Sequence, residues 1–225
     1  MCKETNVLSI LKEFFLSRDF TFGSLCVGMG MLMIYAFIEN PFENTISHIG
    51  LEHPMLFKIL CLTLCFSTGT NQLCLFEKIE KNVSNATLFK FSIVIANAAM
   101  VVASFTSTEN TTVAESVIHW TSALLFMGVN PILILYAAIF KLRRKSGRYI
   151  AVMCVFAAAY FADIIYILTV FISAASLSGK NGIMEITPIF LTYFLLLIFN
   201  HSALSENEES RLHKKEYGRK KYAVN

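Results

Sequence analysis

"YIAVMCVFAAAYFADIIYILTVFISAA", residues 149–175, runs from end to end with a single charged side chain, Asp163. A helix needs about 20 predominantly apolar residues to cross the roughly 30 Å of a bilayer's hydrocarbon, so this stretch is long enough. Inside lipid every backbone N–H and C=O must be satisfied internally, which makes the stretch a helix. Five comparable runs lie around it, at about 20–38, 55–76, 89–107, 117–140 and 184–203. The short alternating segments of a transmembrane barrel do not occur in the sequence. The chain reads as all-α: a polytopic membrane bundle of six transmembrane helices. Composition agrees, since soluble chains carry about 25% charged residues. Here the charged share is 16%, with 55% hydrophobic residues and a mean hydropathy of +0.58.

Lysine and arginine mark the cytoplasmic side of such a bundle. Lys3, Lys12 and Arg18 precede the first run, and Lys78, Lys81 and Lys90 follow the second. Lys141, Arg143, Arg144, Lys145 and Arg148 follow the fourth, and Arg211, Lys214, Lys215, Arg219, Lys220 and Lys221 follow the sixth. Only Lys58 and Lys180 fall on the other side. Both termini are therefore expected in the cytoplasm. Because insertion accounts for the basic residues, the net charge of +3 does not point to nucleic acid. The partners expected are the lipid bilayer and its anionic inner-leaflet lipids. Abundant Lys, Asn, Ile and Phe suit an AT-rich bacterium, and hence a bacterial cytoplasmic (plasma) membrane.

The first run is long enough to span and lacks a small-x-small cleavage site followed by a soluble domain, so it reads as a retained helix. Cys2 and Cys74 fall near the cytoplasmic side, while Cys26, Cys61, Cys65 and Cys154 fall within runs. None occupies an outer loop, where a disulfide framework would form. Three segments follow: a cytoplasmic amphipathic segment at 1–19, the membrane domain at 20–203, and a basic cytoplasmic tail at 204–225. Within "TNVLSILKEFFLSR", residues 5–18, Val7, Leu8, Leu11, Phe14 and Phe15 share one helical face. That pattern suits a short helix lying on the inner leaflet. Asn130-Pro131 interrupts the fourth run, and a kink is expected where proline removes a backbone donor.

Ionisable groups inside a membrane are costly, which makes Asp163 a functional candidate. Tyr160 and Tyr166 lie three positions to either side of it on the same helical surface. Asn97 and Asn130 are expected at comparable depth in neighbouring helices, as binding or hydrogen-bonding partners. The same residues would equally serve as a polar cluster that locks helices together.

The expected outer face collects histidines: His48 and His53 in the first outer loop, and His119 at the start of the fourth helix. With Glu39, Glu43, Glu52, Glu115 and Glu185 nearby in topology, these three are the candidate ligands of a zinc ion. There is no HExxH, and the five-residue spacing of His48 and His53 does not put both on one helical face. Ser47 is a candidate nucleophile, with His48 and Asp163 as catalytic companions. Adjacent side chains diverge in regular structure, however, and no GxSxG elbow is present. The alternative for Ser47 is a local cap, its hydroxyl accepting a backbone N–H.

"PFENTISHIG", residues 41–50, carries a resemblance. It is similar to the first outer loop of the domain of unknown function 998 family, and more distantly of DRAM-like membrane proteins. In those families a segment of the type NTISDLG follows the first of six helices. Asn44, Thr45, Ile46, Ser47 and Gly50 match that pattern, while His48 stands where the family has an acidic residue. The resemblance implies a six-helix fold and its location, and no established reaction. Asn44, in the same loop, is a candidate binding residue. Asn44-x-x-Ser47-His48 is also similar to the N-x-x-[ST]-H segment of the CREST membrane hydrolases, which use histidines, a serine and an aspartate around zinc. Those proteins have seven helices and a paired H-x-x-x-H in the last, which this chain lacks.

Three readings of function follow. The first is a membrane protein that binds lipid or a protein partner through its outer loops. The second is a zinc-dependent membrane lipid hydrolase with an outer-face His/Asp/Ser site. The third is a small transporter, which would place Asp163, Asn97 and Asn130 along a pathway.

Overall fold

The computed structural model of the protein describes residues 7–38, 46–79, 85–106, 112–137, 147–172 and 182–201. Asn44 and the basic segment 204–225 lie outside the described residues, as does the side chain of His48. Among the described residues there are eight helices and no strand: α1 (Val7–Phe15), α2 (Arg18–Ile38), α3 (Ile46–Glu52), α4 (Pro54–Ile79), α5 (Ala86–Phe105), α6 (Val113–Tyr136), α7 (Gly147–Ile172) and α8 (Gly182–His201).

By length and hydropathy, α2, α4, α5 and α6 are each able to cross a membrane. The apolar stretches Ile150–Tyr166 of α7 and Glu185–His201 of α8 are shorter. Large apolar side chains also cover the outside of the bundle: Phe37, Val94, Phe105, Val155, Phe161 and Ile165 are all exposed. A monomeric soluble protein rarely exposes so much contiguous apolar surface. Long apolar helices with apolar outer faces make this a multi-pass membrane protein.

The core is built around α4, which packs against α2, α3, α5 and α8, while α6 bridges α5 and α8. Leu32, Leu60, Leu64, Phe76, Leu195 and Leu196 are fully buried. Lipid tails are as apolar as these side chains, so close packing and polar ties carry much of helix association in a membrane. Gly28 shows the closeness: a Cβ there would lie 2.2 Å from the Tyr193 hydroxyl oxygen on α8.

Local signals set the helix starts. Asn85 accepts a hydrogen bond from the Leu88 N–H at the start of α5. Thr112 and Glu115 form a capping box on α6, each side chain bonding the other's backbone N–H. Pro54 opens α4, where its missing N–H costs nothing. At one end of the bundle α1 folds across α2 and α4. Phe14, Phe15, Phe20 and Phe66 form an aromatic cluster with ring centroids 4.9–6.0 Å apart, and Lys12 pairs with Glu77 at 2.6 Å. Val7, Ile10, Leu11 and Phe14 remain exposed on α1.

At the opposite end the short α3 lies among the N-termini of α4, α6 and α8 and the C-terminus of α5. Tyr35 of α2 donates to the Ile46 carbonyl at 2.7 Å. Gly50 lets α3 settle on α4, since a Cβ there would lie 3.0 Å from the Phe57 ring.

Candidate functional site

With Ile46 buried and tied to Tyr35, the next residue of α3, Ser47, is carried to the junction of α3, α6 and α8. Its hydroxyl lies 3.1 Å from His119 Nε2 on α6 and can donate to Glu185 Oε1 on α8 at 3.3 Å. The Ser47 backbone N–H donates to Glu185 Oε2 at 3.2 Å. His119 and Glu185 are both buried, whereas Ser47 is half-buried.

Hydrogen-bond accounting assigns the imidazole tautomer. His119 Nδ1 faces two backbone carbonyls, Thr106 at 2.8 Å and Ala103 at 3.0 Å. Carbonyl oxygens only accept, so Nδ1 carries the proton. In the neutral ring Nε2 then presents its lone pair to the Ser47 hydroxyl, whose one proton has Nε2 at 3.1 Å and Glu185 Oε1 at 3.3 Å as alternative acceptors. The ring is further fixed by stacking on Phe57, with centroids 6.4 Å apart. The cluster thus contains a hydroxyl, a base within hydrogen-bond reach of it, and a third group orienting the base. This is the arrangement that activates a nucleophile. Glu185 differs from the acidic member of a hydrolase triad in touching the serine rather than Nδ1.

The cluster borders two spaces. A pocket of about 190 Å³ is lined by Ser47 and His119 together with Lys58, Ser104, Thr106 and Phe105, among others. Its charged group is Lys58, whose ammonium stands 5.3 Å over the Phe105 ring. Behind the cluster lies a void of about 20 Å³ bordered by Ser47, His119, Glu185 and apolar side chains including Met100, Met127 and Ile189.

Of the residues singled out in the sequence, the structure brings Ser47 and His119 together. His53 is exposed beside a separate depression with Glu52 and Met55. Among the described residues no three His, Cys, Asp or Glu side chains gather as a metal site. The side chain of His48, one of the three proposed ligands, lies outside the described residues. Asp163 sits half-buried on α7, one carboxylate oxygen buried without a hydrogen-bond partner, and makes no hydrogen bond to Ser47, His119 or Glu185. Glu115 is committed to its capping box.

Asn97 and Asn130 do meet, at a different place. Asn97 donates to Gln72 Oε1 at 2.7 Å, and Gln72 donates to Asn130 Oδ1 at 2.9 Å. All three are buried, so the group ties α4, α5 and α6. A second tie lies on the other flank of α4. Asn71 donates to the Thr21 carbonyl at 3.1 Å and the Ser24 hydroxyl at 3.0 Å, and Asn200 donates to Asn71 Oδ1 at 3.1 Å.

Sequence reasoning placed Glu185 only among available carboxylates, and did not single out Gln72 or Asn71. The available signal was their position inside long apolar runs, where a polar side chain needs a partner. No protein family, curated protein or solved structure matches this chain.

Proposed function

We propose that this is a six-span protein of a bacterial plasma membrane with both termini in the cytoplasm. Its pocket at the α3 end opens on the outer face and binds the anionic headgroup of an outer-leaflet amphiphile. Lysine and arginine placement supports the orientation, and the likeness of residues 41–50 to the domain of unknown function 998 family supports the six-span count. In that arrangement α7 and α8 are the fifth and sixth spans.

The observation that carries the binding reading is the lining of the pocket. One lysine ammonium, the hydroxyls of Ser47, Ser104 and Thr106, and apolar walls from Phe57, Leu51 and Phe105 converge on about 190 Å³. Sites for drug-sized ligands run from roughly 300 to 1,000 Å³, so this one takes a headgroup and leaves the chains outside. Phe105 lines the pocket yet is 70% exposed, giving apolar chains a wall continuous with the lipid-facing surface. A lysine ammonium suits a phosphate or carboxylate, while the Ser104 and Thr106 hydroxyls donate to the backbone carbonyls of Val101 and Ala103.

The test is native mass spectrometry of the full-length protein released from nanodiscs of phosphatidylcholine mixed with phosphatidylglycerol. Selective retention of the anionic lipid, lost in Lys58→Gln, is the expected result. Equal retention of the two lipids, or retention indifferent to Lys58, counts against the pocket. Orientation is checked separately with single cysteines at positions 110 and 146. An impermeant maleimide added outside should modify only the first, and the reverse pattern overturns the topology.

A further inference from the structure

We infer that Ser47 is a nucleophile with His119 as its general base, making the pocket an acyl-transfer site for an ester-bearing amphiphile. This rests on the reading of the pocket as an amphiphile site. It adds a reaction to it.

Three observations carry the inference together. Ser47 Oγ lies 3.1 Å from His119 Nε2, within the reach a general base requires. The Nδ1–H is held by the carbonyls of Thr106 and Ala103, so the nitrogen facing the serine is the one able to take a proton. Ser47 and His119 both line the pocket of about 190 Å³ that Lys58 also borders, so a headgroup held there places its nearest ester beside the hydroxyl. A serine serving only to tie helices would need no such opening. Ser47 also differs from its neighbour Ile46, which is buried and fully committed to packing.

The reaction balances as two transfers. Ser47 Oγ attacks the ester carbonyl carbon, forming a C–Oγ bond while the hydroxyl proton passes to His119 Nε2. Collapse of the tetrahedral adduct breaks the ester C–O bond, and the Nε2 proton goes to the departing alkoxide. A water or an acceptor alcohol then attacks the acyl-serine carbonyl, giving its proton to Nε2. The second collapse breaks the C–Oγ bond and returns that proton to Ser47. No oxidant or reductant enters. Glu185, bonded to the Ser47 backbone N–H, holds α3 in place throughout.

An alkyl fluorophosphonate, which modifies activated serines, is added to the full-length protein in the nanodiscs described above. The expected result is one adduct per chain, located by peptide mass on Ser47. Ser47→Ala abolishes it, and His119→Gln slows it at least 100-fold, within the range of about 10²–10⁴ for general-base removal. Ser92→Ala, near the other end of α5, leaves labelling unchanged. No adduct on the wild type, an adduct elsewhere, or labelling indifferent to His119 in a folded variant overturns the inference. The wild-type adduct and its position decide the matter even where a variant fails to fold. Absent labelling with selective lipid retention intact removes the nucleophile and leaves the binding reading standing. Labelling at Ser47 without lipid selectivity keeps the nucleophile and removes the headgroup reading.

Discussion

Tyr160 of α7 donates its hydroxyl to the carbonyl of Met127 in α6 at 2.9 Å, with the Gly128 carbonyl at 3.0 Å. Met127 lies four residues before Pro131, which has no N–H to complete the helical bond. The proline therefore creates an acceptor, and the tyrosine from the next helix fills it. Tyr160→Phe should destabilise the protein by about 1 kcal/mol, the usual net worth of one such bond. In Pro131→Ala the intrahelical N–H returns, so the same tyrosine substitution should cost much less. A double-mutant cycle of thermal midpoints in detergent measures the coupling. Additive effects would mean that the tyrosine does not serve the proline.

Gly28 and Tyr193 set the approach of α2 and α8. A methyl at Gly28 would fall 2.2 Å from the tyrosine oxygen and 2.7 Å from a ring carbon. Tyr193 is buried to 1% exposure, so it has little room to turn. Gly28→Ala should cost about 1–3 kcal/mol, as overpacking in a close-packed interior does. Tyr193→Phe removes only the nearest atom and should rescue in part, whereas Tyr193→Leu removes the ring and should rescue more. Size-exclusion profiles with thermal midpoints rank the four proteins. A Gly28→Ala variant as stable as the parent contradicts the close packing.

Gln72 is the hub of the tie between α4, α5 and α6, since it donates to Asn130 and accepts from Asn97. Gln72→Leu removes both bonds at once and leaves Asn97 with the Ile93 carbonyl at 2.8 Å and a longer bond to Asn130 Oδ1 at 3.4 Å. Polar contacts between membrane helices are worth about 0.6 kcal/mol on average and up to about 1.7. A loss of about 1–3 kcal/mol is expected for the hub, and less for Asn97→Leu, which leaves the Gln72–Asn130 bond in place. Unfolding in mixed micelles with increasing denaturing detergent gives the comparison. If Asn97→Leu proves the costlier of the two, Gln72 is not the hub.

What the sequence revealed and what it hid divide along one physical line. Lipid imposes long apolar runs on any spanning helix, so α2, α4, α5 and α6 were legible from composition alone. Asn97 and Asn130 stood out for the same reason, as amides in apolar surroundings. Their meeting through Gln72 was not legible, because α4 also carries Ser67, Thr68 and Asn71 and no local spacing selects one of them. Ser47 and His119 lie 72 positions apart, and only the packing of α3 against α6 joins them. Adjacent numbering drew attention to His48, whereas Tyr35 and Gly50 set where Ser47 ends up. Glu185 was one acid among several until the position of α8 put it under Ser47.

That position makes Glu185 the anchor of α3. The helix is only seven residues long, too short to persist by its own hydrogen bonds. Glu185 accepts from the Ser47 N–H and stands within reach of its hydroxyl, while Tyr35 holds the preceding carbonyl. Glu185→Ala leaves the part-buried Ser47 N–H without its acceptor. Leaving such a donor unsatisfied costs about 1–3 kcal/mol, and a loss of that size is expected. Glu185→Gln behaves differently. Its amide oxygen still accepts from Ser47 N–H, and its NH₂ donates to Ser47 Oγ, which in turn donates to His119 Nε2. All three partners stay satisfied, so the glutamine variant should lose less than about 1 kcal/mol. Hydrogen exchange of the 46–52 amides reads the difference directly, with fast exchange in the alanine variant and near-parental protection in the glutamine variant. Equal protection in both variants would mean that α3 is anchored by something other than Glu185.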